Sequence, residues 1–214
     1  LMEARTRLVV LVSGNGSNLQ ALLDACSSGS LPAGVVAVVS DRSDAYALRR
    51  AAVAGVPSVH VGRRPDEARG DYDARLADVV AGFDPDLIVL AGWMRILTTS
   101  FLGWFPERVI NLHPARPGEL PGTNAIERAW QEAQAGRRTV TGVMVHRVPD
   151  EGVDDGPVLA TVDIDIHPDD TLESLESRVH DAEHRLLVDT IRHLCERSAP
   201  ETDRSPPTPT EIPA

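Results

Sequence analysis

A doubly wound α/β fold with a Rossmann-like, mostly parallel sheet is predicted by three observations. Short Val/Ile/Leu runs alternate with amphipathic helical patterns from residue 7 to residue 91, as expected of a parallel sheet covered by helices on both faces. The first run passes into a helix through Ser13-Gly14-Asn15-Gly16-Ser17-Asn18, a glycine turn of the kind that opens nucleotide-binding sheets. Beyond Ala91 two further strand-like runs and a long helix follow, so an antiparallel part is expected on the C-terminal side.

Arg7 to Val12 is β-rich, and Leu19, Leu22, Leu23 and Cys26 recur at helical spacing. Strand Val35 to Val39 precedes helix Ala45 to Ala54, strand Ser58 to Val61 precedes helix Glu67 to Ala81, and Asp86 to Ala91 is strongly apolar. Next come a loop at Gly92 to Arg95, a short helix near Thr98 to Leu102 and strand Arg108 to Leu112. After the Pro/Gly-rich segment Pro114 to Gly122, helix Thr123 to Ala135 leads into strands Val140 to Val148 and Val158 to Ile166. Their connection, Pro149 to Gly156, suits an antiparallel pair at one side of the sheet. A closing helix, Asp170 to Cys195, is expected to bury Leu172, Leu175, Val179, Ala182, Leu186 and Val188 to Ile191. There is no internal repeat. Residues 1–197 read as a single domain. Residues 198–214 read as a disordered Pro-rich tail, because five prolines in the last fifteen residues leave little apolar surface to offset ordering entropy.

The 214 residues are enough for one core without staples. No apolar stretch approaches the length of about 20 residues that spans a bilayer, and the N-terminal residues lack a signal-peptide pattern, so a soluble, cytoplasmic protein is expected. Cys26 and Cys195 have no metal-like or redox-like spacing and read as plain thiols. The net charge of −11 argues against nucleic acid and anionic membranes as partners. Every one of the 21 basic residues is arginine, which excludes a Schiff-base lysine and the lysine of a Walker loop.

Two constellations carry chemistry. At Gly14, Asn15, Gly16, Ser17 and Asn18 the backbone can approach a ligand, and the following helix offers unpaired N–H groups to an anion. The spacing lacks the third glycine of a dinucleotide fingerprint, so a monophosphate fits better. Asn111-Leu112-His113-Pro114 ends an apolar run, and Asp154 follows in Gly152-Val153-Asp154-Asp155-Gly156-Pro157. An amide, an imidazole and a carboxylate can polarise a carbonyl, stabilise an oxyanion and carry a proton. That combination points to acyl-type transfer.

With Ala-Gly-Trp-Met-Arg-Ile-Leu at 91–97, these segments stand in the order and approximate spacing of a known family. Over residues 7 to 195 the chain resembles the folate-dependent glycinamide ribonucleotide transformylases. The resemblance implies the formyltransferase fold and transfer of the formyl group of 10-formyltetrahydrofolate, a co-substrate, to the amine of 5'-phosphoribosylglycinamide in purine biosynthesis, with no metal. Carried over by position, Asn111, His113 and Asp154 are the catalytic trio. Asn111 and His113 would donate to the tetrahedral oxyanion, while Asp154 would keep His113 charged and assist proton transfer. Asp154 is chosen over Asp155 because it keeps the Asp-x-Gly-Pro spacing. His180 and Glu183 resemble the family's phosphate and ribose contacts. Trp93, Met94, Arg95, Ile96 and Leu97 are similar to its folate loop, with Arg69 near the folate tail and Asn111 at the reacting end.

Two departures stand out. Ala115 to Pro121 replaces the family's Leu-Leu-Pro-rich stretch, and Asn124 occupies a common histidine position. Asn cannot take a proton, and whether His146 or another group compensates is left open. The alternatives are a 10-formyltetrahydrofolate hydrolase, a sugar-amine formyltransferase and, outside enzymes, a nucleotide-binding module. A monomer or a homodimer is expected.

Overall fold

The computed structural model describes residues 5–198. Ser198, the first residue of the predicted tail, ends the last helix, and the rest of that tail, residues 199–214, falls outside the described residues. Seven strands lie in the order β3-β2-β1-β4-β5-β6-β7: β1 (Thr6–Leu11), β2 (Ala33–Ser40), β3 (Ser58–His60), β4 (Leu87–Leu90), β5 (Val109–His113), β6 (Val140–Arg147) and β7 (Val158–Asp165). The first five are parallel, and β5/β6 and β6/β7 are antiparallel, as the change of pattern after Ala91 predicts.

Helices α1 (Ser17–Ser27), α2 (Tyr46–Val53), α5 (Ala125–Gln134) and α6 (Leu172–Ser198) cover one face, and α3 (Arg69–Ala81) and α4 (Thr99–Leu102) cover the other. Strand alternation divides the core accordingly. Leu8 and Val10 of β1 and Val89 of β4 pack toward the first layer, while Val9, Leu11 and Ile88 pack toward the second. Cys26 and Cys195 are buried free thiols in the first layer, and burial raises the pKa of Cys26. In the second, the Tyr72 hydroxyl donates to the Val61 carbonyl at 2.8 Å, and burial pushes its pKa up to about 12.

Three helices start two residues later than predicted, each because a residue near the helix start is otherwise engaged. Helix α3 starts at Arg69 rather than Glu67, whose carboxylate is bound by Arg75 and the Arg64 N–H. Helix α5 starts after Asn124, which sits at φ 57°, a left-handed conformation that asparagine tolerates. Helix α6 begins after Asp170, whose carboxylate binds the His167 N–H, the Ser174 hydroxyl and Arg178. On α6 the buried row runs Leu175, Val179, Ala182, Leu187 and Ile191, whereas Leu186 is half-buried and Asp189 exposed. The i, i+4 step from Glu183 selects Leu187.

The chain winds outward from β1 to β3 and returns to β4 on the other side of β1. The crevice between the C-terminal ends of β1 and β4 is therefore the topological switch point, where open α/β sheets bind ligands. The Ser13 N–H donates to the Gly92 carbonyl across it at 3.0 Å.

Candidate active site

A cavity of about 660 Å3 opens at this switch point, lined by Ser13 to Asn18, Trp93 to Leu97, Asn111, His113, Asp154, His180 and Glu183. Its size suits small-molecule substrates. All the sequence-predicted site residues meet there except Arg69, which lines an adjoining 260 Å3 pocket and donates to the Ile96 carbonyl at 3.0 Å. Arg69 opens α3, and its pocket shares Met94, Arg95 and Ile96 with the main cavity.

The glycine loop is held from behind. Gly16 is the N-cap of α1 at φ 78°, and a Cβ there would lie 2.7 Å from that of Ala47, so both its conformation and its close packing require glycine. The Arg50 guanidinium donates to the carbonyl and side-chain oxygen of Asn15, both at 2.8 Å. Ser13 Oγ accepts from the Met94 N–H at 2.9 Å, joining the glycine loop to the 93–97 loop.

Within that second loop, Trp93 and Leu97 are buried in the core while Met94 and Ile96 are exposed apolar side chains. The Arg95 side chain is committed elsewhere, paired with Asp41 at 2.7 Å and lying over the Tyr72 ring. Across the cavity on α6, buried Glu183 accepts from His180 Nδ1 at 2.8 Å and from Asn18 Nδ2 at 3.3 Å. This contact with Glu183 raises the pKa of His180, prolonging its charge toward neutral pH.

The polar centre lies at the end of β5. Asn111 Nδ2 donates to Asp154 Oδ1 at 3.0 Å, and the Gly122 N–H donates to Oδ2 at 2.8 Å. His113 is almost fully buried. Its Nδ1 lies 3.4 Å from Asp154 Oδ2, and its Nε2 lies 3.0 Å from the Leu120 carbonyl. Burial lowers the pKa of His113, and Asp154 and the Leu120 carbonyl oppose that only in part. Burial pushes the Asp154 carboxyl up, yet the hydrogen bonding around it outweighs burial, so its pKa is lowered and it is ionised at neutral pH. Asp154 adopts φ 55° in its turn, whereas Asp155 is exposed.

Three contributors to this centre carry no clear signal in the sequence. The Leu120 carbonyl and the Gly122 N–H are backbone atoms. The third is His146, 2% exposed, whose Nε2 lies 3.1 Å from Asn111 Nδ2 and 3.5 Å from Asp154 Oδ1. It faces Asn111 directly in the β5/β6 register. His146 is thus the additional imidazole beside Asp154, while Asn124 lines the cavity as an exposed helix cap. Among the described residues no group of three or more His, Cys, Asp and Glu could hold a metal ion, and no helix is long and apolar enough to cross a membrane.

Residues 6–191 match the family described as formyl transferase. The chain belongs to this family. It is 44% identical over 199 residues to phosphoribosylglycinamide formyltransferase of Schizosaccharomyces pombe, covering 87% of this chain and 96% of the relative. The corresponding protein of Mycobacterium tuberculosis is 42% identical over 192 residues, covering 90% of this chain and 86% of its own length. Glycinamide ribonucleotide transformylase 1 from Symbiobacterium toebii superposes with a TM-score of 0.84 at 38% identity, covering 90% of this chain and 89% of its own.

Proposed function

We propose that the protein transfers the formyl group of 10-formyltetrahydrofolate to the amine of 5'-phosphoribosylglycinamide. The observation that carries this reading is the meeting, in one cavity, of the anion-type loop at 13–18 with the Asn111, His113 and Asp154 centre. The names of the relatives support it. The loop N–H groups and His180, whose pKa Glu183 raises, suit the phosphate, and Glu183 suits the ribose hydroxyls. The exposed apolar surfaces of Met94, Ile96 and Val153, which all line the cavity, suit the aromatic part of the folate.

The amine adds to the formyl carbon and leaves an oxyanion on the tetrahedral intermediate. His113, kept neutral at rest by burial, takes up charge as the amine loses its proton, with Asp154 and the Leu120 carbonyl positioned to stabilise the imidazolium. That proton then passes to N10 of the folate as the carbon–nitrogen bond breaks, so no net proton is gained or lost in the transfer. Positioned acid–base groups of this kind contribute about 10²- to 10⁴-fold in rate.

Tetrahydrofolate release, followed by absorbance, is expected only when protein, 10-formyltetrahydrofolate and 5'-phosphoribosylglycinamide are all present. Equal release without the amine identifies a hydrolase, and release with aminosugars but not with the ribonucleotide identifies a sugar-amine transferase. Either result overturns the proposal.

A further inference from the structure

His146 is buried beside the proposed catalytic trio and has no part in the proton path described above. Its hydrogen-bond partners fix its protonation pattern. Nδ1 lies 2.8 Å from the Arg147 carbonyl oxygen, which can only accept, so Nδ1 carries a hydrogen. Nε2 lies 3.1 Å from Asn111 Nδ2, which can only donate, so Nε2 presents a lone pair. Turning the Asn111 amide over would satisfy a protonated Nε2, but it would place the amide oxygen against ionised Asp154, where Nδ2 now donates at 3.0 Å. The two carboxylate oxygens and the His146 lone pair thus demand one orientation of the amide.

We infer that His146 is a positioning residue acting through Asn111: as the neutral Nδ1–H tautomer it accepts one amide hydrogen while Asp154 accepts the other, so the amide oxygen, and not the expected N–H, is the end of Asn111 left for the substrates. The charged or titratable groups facing it are Asp154, whose Oδ1 is 3.5 Å from Nε2, and His113 on the adjacent strand. A proton on Nε2 would turn the contact toward Asp154 and leave Asn111 without its second acceptor. The β5/β6 register holds the pair in place, since Asn111 and His146 are direct cross-strand partners. A pocket residue displaced by about 1 Å can cost about 10²-fold in rate, so the orientation of this amide matters to turnover. The inference rests on Asn111 belonging to the reacting centre.

Two experiments on the full chain test it. Long-range proton–nitrogen spectra of histidine-labelled protein at pH 7.5, compared between wild type and His146→Gln, identify the His146 ring among the seven histidines. An Nδ1–H ring with unprotonated Nε2 is expected, and an Nε2–H or doubly protonated ring overturns the inference. In steady-state kinetics, His146→Phe removes the acceptor, and kcat is expected to fall about 30-fold or more with both KM values changed less than about twofold. His146→Gln places an amide oxygen near the Nε2 position and is expected to restore most of that loss. Equal loss in both variants, or loss in neither, overturns the inference. The spectra need no substrate: a wild type with the Nδ1–H ring but no transfer to 5'-phosphoribosylglycinamide would refute the proposed function and leave the tautomer intact.

Discussion

His113→Ala is expected to lower kcat by about a thousandfold, within the range attributed to positioned acid–base groups, while retaining the wild-type circular dichroism spectrum. The size of the effect follows from the surroundings of the ring. His113 is the buried titratable group between Asp154 and the Leu120 carbonyl, so its loss removes the base that faces Asp154 Oδ2. KM for the ribonucleotide should change little, because the contacts proposed for it lie at residues 13–18 and on α6. His113→Gln controls for packing, since it refills most of the space and still cannot take the proton. Turnover of either variant within about tenfold of wild type would remove His113 from the proposed mechanism.

Gly156→Ala is expected to have the largest effect on stability. A Cβ at this position would fall inside the contact radius of the Arg147 carbonyl oxygen and lie 3.0 Å from Pro149 Cδ. The obstructing atoms are backbone and a proline ring, with no flexible side-chain end to move aside. They also belong to the turn joining β6 to β7, where the Arg147 N–H donates to the Pro157 carbonyl at 2.9 Å. Overpacking against so rigid a neighbour should cost about 3 kcal/mol, read as a lower urea midpoint with an unchanged slope. Because the same turn carries Asp154, kcat should fall as well. A midpoint indistinguishable from wild type would show that the turn shifts freely, contradicting the rigid placement of Asp154.

The strands were legible in the sequence wherever they are continuous Val/Ile/Leu runs, because burial on both faces leaves no polar position to blur them. Helix starts were less so. Asn124, Glu67 and Asp170 read locally as helical positions, and only their tertiary contacts or backbone conformation place them outside. The centre divides in the same way. Asn111, His113 and Asp154 carry distinctive side chains and sit within recognisable motifs, whereas Leu120 and Gly122 contribute backbone groups that any residue possesses. His146 needed the β5/β6 register, which spans the whole of α5 and the loops around it. The β6/β7 pair, joined by one turn, could be anticipated, but the pairing that brings His146 opposite Asn111 could not.

Formyl transfer to a ribonucleotide amine can be tested most directly by following the carbon itself. The protein would be given 10-formyltetrahydrofolate carrying 13C in the formyl group and 5'-phosphoribosylglycinamide carrying 15N at the amine. The expected result is a formamide carbon showing one-bond coupling to the 15N, formed at the same rate as tetrahydrofolate. Label recovered as free formate, or label left on the folate while the ribonucleotide is bound, would contradict it.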